Sequence, residues 1–347
     1  MESINIPYTL DYIWLLFRPA EMSKTIFNAA LFILCHLILL HLVKAQEVKY
    51  KLDESWPIDS SHFSAPIFSV AVNQYTGSVF VAKRDKESSS ILLFAQSGDY
   101  IQTLPIKSNT LEQVHGLTFH ADTGLERYTL WATDVGNGPF GYTVKQYDLN
   151  GSLLRVLGTP GTAGSSLTPL QFGNVAEVAF DNKGLMYVVD GDGGLNNRLV
   201  KLNSNYSELW SFGQNGTGPL DFRIPHSVTV SPATGHIWVA DRMNNRLKVF
   251  DPIEPKLVKS CQMDGGQPYS VRFSKDGSHL IVAQLQNDTI AFVSSQFANQ
   301  STCKKLGSVK LPPGSKPHLV DVDKFNGAFY VGNIGDPPSC LRFIPSY

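Results

Sequence analysis

Six apolar, β-rich runs recur along this chain at nearly even spacing: VFVAKR (79–84), LWATDV (130–135), MYVVDG (186–191), IWVADR (237–242), LIVAQL (280–285) and FYVGNI (329–334). Their starts lie 51, 56, 51, 43 and 49 residues apart. Before each comes an alternating run such as SVAV, EVAF or SVTV, joined to it by a polar, mostly glycine-bearing turn such as NQYTGS or SPATGH. A third run follows in most copies, as in NNRLVKL and NNRLKVF, then a turn and a fourth. Alternation of period two marks half-buried strands, and helical periodicity is almost absent beyond the N-terminal segment. Three or four antiparallel strands repeated every 40 to 50 residues form a β-propeller, here all-β with six blades. The sixth copy ends after its third strand (CLRFIP), while EVKYKLD (47–53) is a spare strand. That strand is expected to complete the last blade and close the ring, removing two exposed sheet edges.

With 347 residues, 43% apolar composition and net charge −1, the chain has ample material for a large core. Near-neutral charge gives no electrostatic reason to expect nucleic acid or an acidic lipid surface as a partner.

The N-terminal segment lies outside the repeats. Ile26–Val43 is an apolar run after Lys24, followed by KAQE, with small residues at Val43 and Ala45. This predicts a secretory signal over 1–45, cleaved after Ala45, and a propeller over 46–347. Met22 fits an initiator better than the residues before it. The competing reading is a membrane anchor; the run is about long enough, but Asn28, His36 and His41 interrupt it. Export agrees with five N-x-S/T sequons, at Asn150, Asn205, Asn215, Asn287 and Asn299. Three cysteines lie beyond the signal. Cys261 and Cys303 stand at matching ends of neighbouring repeats and are expected to pair, leaving Cys340 free.

Aligning the copies on the residue that opens the innermost strand gives Phe68, His115, Ala176, His226, Tyr269 and His318. The interval to the second-run landmark is 12 residues in four copies, 16 in the second and 11 in the third, which constrains the alignment. Histidine therefore falls on copies two, four and six. Innermost strands line a propeller's channel, so three imidazoles would face the axis at one depth. Three histidines with an open position form a ligand set for exchangeable zinc. Each alone reads first as a structural residue that caps a strand end or bonds a neighbouring blade's backbone; it is their shared repeat position on alternate copies that points to a ligand set. Four residues past the landmark, arginine occurs in copies one and four (Arg84, Arg242), at the same rim. Two guanidiniums there suit a carboxylate-bearing ligand or, alternatively, inter-blade ion pairs.

The stretch D-x-x-N-N-R-L-x-V-F (Asp241–Phe250) and its counterpart around Asn196–Leu202 resemble the NHL repeat family, which implies a secreted propeller glycoprotein without supplying an activity. The triplets VHG, PHS and PHL also resemble those of the peptidylglycine amidating lyases, six-bladed NHL propellers that cleave peptidyl-α-hydroxyglycine. That resemblance implies zinc on His115, His226 and His318 and active-site arginines at Arg84 and Arg242. The chain departs from the lyases at three places: Asp192 stands where they carry a tyrosine, Lys316 where they carry methionine, and Leu319 where they carry an acidic calcium ligand. Asp192 reads either as a substitute base or extra ligand, or as part of a solvated Gly/Asp turn.

Two functions compete. One is a secreted binding propeller for a protein or peptide, holding zinc at its rim. The other is a lyase-like zinc enzyme acting on a peptidyl or small α-hydroxy carboxylate. Ubiquitin-ligase and RNA-binding roles lack their sequence signs: no zinc-module Cys/His spacing and no basic excess.

Overall fold

The computed structural model describes residues 48–346, apart from 87, 108, 123–126 and 297–300. The proposed signal over 1–45 and its Met22 start lie outside the described residues. Among the described residues no helix is long and apolar enough to cross a membrane.

Among the described residues, twenty-four strands form six four-stranded antiparallel sheets. Each sheet is one sequence repeat read from inside outward. Blade 1, for example, runs Ile67–Val72, Val79–Arg84, Ser89–Phe94 and Tyr100–Thr103. The sixth blade contains Pro317–Val322, Phe329–Asn333 and Ser339–Pro345, and its outer strand is the N-terminal Tyr50–Leu52. Tyr50 pairs with Pro345 and Leu52 with Phe343, so the ends of the described chain close the ring together.

The core is divided into six parts, one between each pair of neighbouring blades. The landmark residue of each second strand fills the next interface: Phe80, Trp131, Tyr187, Trp238, Ile281 and Tyr330. Their regular recurrence is what makes the copies visible in sequence. Full burial of one such side chain contributes on the order of 3 kcal/mol, so these interfaces dominate the ring's cohesion. A disulfide between Cys261 and Cys303 joins the outer strand of blade 4 to blade 5, and Cys340 is free and buried.

The loops at one rim are pinned from below by buried aspartates at the ends of second strands. Asp134 accepts the backbone N–H groups of Glu112, Gln113 and Gly136 and pairs with Lys145. Asp190 accepts from Gly173 N–H, Asn196 and Arg198, and Asp241 from Arg223 N–H, Asn244 and Arg246. The D-x-x-N-N-R-L pattern is thus a loop clamp, with aspartate and arginine paired so that neither charge is buried alone.

Candidate metal centre at the channel mouth

Five inner strands carry a register shift near their start, at Ile67/Ser69, Val114/Leu117, Val175/Glu177, Pro225/Ser227 and Pro317/Val320. The aligned position (Phe68, His115, Ala176, His226, His318) sits in that irregularity, unpaired with the second strand. A bulge re-aims a side chain, and here it aims the histidines at one another. The rings of His115, His226 and His318 stand 4.8–4.9 Å apart, centroid to centroid, and all three are buried. One nitrogen from each lies within 4.8 Å of the other two.

The repeat also supplies the shell behind them. His115 Nδ1 is 2.8 Å from Ala176 O, His226 Nδ1 2.7 Å from Tyr269 O, and His318 Nδ1 2.7 Å from Phe68 O. Each acceptor is the aligned residue of the next blade, so the pattern runs around the ring. A carbonyl can only accept, so every Nδ1 carries the proton and every neutral ring keeps its Nε2 lone pair free. Gly116 makes one of these contacts possible, because a Cβ there would stand 2.6 Å from Ala176 O. Burial, opposed by Asp192, lowers the His115 pKa to about 4. Burial and mutual repulsion hold His226 and His318 well below the usual histidine range. Neutral imidazoles with their tautomer set by a second shell are the form that ligates a metal. The three candidate ligand nitrogens lie within 4.8 Å of one another, against an edge of about 3.3 Å at a tetrahedral zinc, and the Nδ1 of each ring is tied to one carbonyl.

Both predicted arginines reach this rim. The Arg84 guanidinium lies over the Phe68 ring, 3.2 Å from its centroid, and donates from Nη1 to Val114 O. The Arg242 guanidinium lies 4.7 Å over Tyr269, and its Nη1 is 3.4 Å from Asp192 Oδ1. Burial lowers the Arg84 pKa to about 10, against the pull of Asp192 and Asp134. Arg242 Nε is buried with no hydrogen-bond partner.

Asp192 opens a short 3₁₀ turn, Asp192–Gly194, in which Gly193 takes a left-handed φ of 75°. Its own N–H and that of Gly191 both donate to Asn174 O, turning the carboxylate over the histidines. Asp192 Oδ2 is 3.3 Å from His115 Nε2, and Oδ1 is 4.0 Å from His226 Nε2. Lys316 is exposed, with a left-handed φ of 52° and its N–H donated to Asp288. Leu319 is fully buried and apolar.

Phe68 and Tyr269 support the arginines, and position in the repeat alignment was the one signal for them. Below the histidines lies a hub that the repeat comparison did not single out. Arg272 Nη1 donates to Glu177 Oε2 at 3.0 Å, its Nη2 meets Glu177 Oε1, and its Nε lies 3.6 Å from Asp321 Oδ1. Arg272 and Asp321 share the inner-strand position opposite the landmark, where the other four copies hold Ala71, Thr118, Ala179 and Thr229, and Glu177 is the one charged residue at its own repeat position, which is the signal that was available. Beyond the hub, the opposite channel mouth opens into a cavity of about 260 Å³ bordered by Phe119, Phe180, Phe273 and Lys324.

The fold and this ring of histidines define an NHL-repeat β-propeller protein. The NHL repeat model matches residues 222–250. The chain is 43% identical over 306 residues to NHL repeat-containing protein 3 of Mus musculus and 42% identical to that of Homo sapiens, covering 87% of this chain and 86% of each relative. It therefore belongs to the NHL repeat-containing protein 3 family. A more distant similarity joins 47% of the chain to 17% of peptidyl-glycine alpha-amidating monooxygenase A of Xenopus laevis, at 31% identity over 170 residues. Among solved structures, the WD40 β-propeller domain of Doa1 superposes with a TM-score of 0.53 over 80% of this chain and 78% of that one; at 14% identity it shares the fold alone.

Proposed function

We propose that this chain is a secreted binding propeller that holds zinc on His115, His226 and His318 and presents Arg84 and Arg242 to a carboxylate of a protein or peptide ligand. The observation that carries this reading is the cyclic set of Nδ1–carbonyl hydrogen bonds, which leaves three Nε2 lone pairs turned to one point. A structural network without a metal has no need to orient three acceptors together. Zinc would supply a fixed Lewis-acidic charge there. Arg242, with an unsatisfied Nε and a stacked plane, offers a donor to an incoming carboxylate. Secretion rests on the N-terminal run, and on sequons whose Asn150, Asn205, Asn215 and Asn287 are exposed; Asn299 lies outside the described residues. The Cys261–Cys303 disulfide is consistent with an oxidising compartment.

The test is the metal content of secreted protein purified without chelators, beside His226→Ala. The reading expects about one zinc per chain, lost in the variant. A metal-free wild type that stays metal-free when titrated with zinc would sink it.

A further inference from the structure

We infer that Asp192 is the site's own fourth ligand: a carboxylate tethered over the three histidines that closes the metal's exchangeable position and must be displaced by any incoming carboxylate. This rests on the zinc reading above and deepens it.

The argument begins with a mismatch. His115 commits its only proton, on Nδ1, to Ala176 O. Its Nε2 therefore presents a lone pair, and 3.3 Å away stands Asp192 Oδ2, also an acceptor. The second carboxylate oxygen approaches the equally acceptor-type Nε2 of His226 at 4.0 Å. Two acceptors face each other stably only with a cation between them. A divalent metal satisfies all four groups at once. The 3.3 Å between Asp192 Oδ2 and His115 Nε2 matches the edge of about 3.3 Å between ligands of a tetrahedral zinc, while the 4.0 Å to His226 Nε2 and the histidine nitrogens, within 4.8 Å of one another, would have to draw in around the ion.

The surrounding chain holds the carboxylate in place. The Asp192 N–H is anchored on Asn174 O, and Arg242 Nη1 lies 3.4 Å from Oδ1. Arg242 thus grips the tethered carboxylate in the manner proposed for an external one. Three histidines alone leave an exchangeable position, whereas a fourth protein ligand closes the shell, as in structural sites. Asp192 then sets a threshold: a ligand carboxylate gains access by taking both the metal position and the Arg242 contact.

The experiment uses the full secreted chain and its Asp192→Asn, Asp192→Ala and His226→Ala variants, loaded with Co²⁺ in place of zinc. Absorption in the visible range reports the coordination shell, and competition with a chromophoric chelator reports affinity. We expect wild type to bind Co²⁺ with a four-coordinate spectrum that acetate leaves unchanged. Asp192→Ala should keep the metal at least about tenfold more weakly, and acetate should then alter its spectrum. Asp192→Asn, nearly isosteric, should show the same opening and controls for folding. If Asp192→Ala binds with wild-type affinity, or wild type already responds to acetate, Asp192 is no ligand while the three-histidine site stands. If wild type takes up no metal, both readings fall.

Discussion

Replacing Arg272 with methionine should unhinge the centre of the ring. The guanidinium is nearly buried and is gripped by Glu177, which is fully buried, and by Asp321. Glu177 also accepts Ser227 Oγ at 2.7 Å and Val228 N–H at 3.1 Å, and Asp321 accepts Val72 N–H at 2.8 Å. Through these bonds the hub ties blades 3, 4, 5, 6 and 1 at their inner strands. Methionine fills much of the volume but removes the shared counter-charge of two carboxylates, leaving Asp321 only the pull of Lys324. Breaking a buried pair from one side costs about 3–5 kcal/mol, which for a propeller of about 300 residues lowers the thermal midpoint by roughly 5–8 °C. The pH dependence has a definite sign. Burial already raises the Asp321 pKa against the pull of Arg272 and the Val72 N–H. A carboxyl whose folded pKa exceeds its unfolded value costs stability above the folded pKa and nothing below the unfolded one. Without Arg272 that pKa climbs further, so the deficit should be largest at pH 7 and shrink as pH falls toward 5. The assay is the midpoint of intrinsic-fluorescence melting at both pH values, for wild type, Arg272→Met and the double variant with Glu177→Gln. The double variant should recover part of the loss, because the sites are coupled. A single variant within about 1 °C of wild type at pH 7, or a deficit that grows on acidification, would refute the hub.

Gly116→Ala, which touches no ligand, should weaken metal binding about tenfold by displacing Ala176 O from His115 Nδ1; chelator competition measures it. Cys261→Ser should lower stability by up to about 4 kcal/mol, the loop-closure value for a separation of 42 residues, read by denaturant titration of secreted protein. Tyr50→Ala should cost about 1–3 kcal/mol and raise proteolytic sensitivity at the N-terminus, because Tyr50 packs on Phe292 and Phe329 where the ring closes. An unchanged cleavage rate would argue against closure by that strand.

Much of the candidate site was legible because repeats convert sequence position into spatial depth. Once His115, His226 and His318 share one repeat position on alternate blades, ring geometry alone brings them together. Arg84 and Arg242 follow by the same reasoning. The alignment left Asp192 undecided between a turn residue and a participant, because a Gly-rich loop gives no side-chain direction. Two N–H groups on Asn174 O and the left-handed Gly193 supply that direction. Arg272 and Asp321 share one repeat position in copies five and six, but Glu177 sits at another position in copy three, so aligning the copies did not bring the three together.

The sequence by itself determined the number of blades, the strand order within each, the closing N-terminal strand and the common depth of the histidines. These depend on local alternation and on periodic spacing, both written along one dimension. Only the tertiary structure decided which atom of each histidine faces the axis, where the Asp192 carboxylate lies and which charges meet in the channel. Those outcomes depend on bulges, rotamers and hydrogen bonds between inner strands 43 to 250 residues apart, as in His226 to Tyr269 and His318 to Phe68. No local pattern records such pairings, because they exist only when the ring is closed.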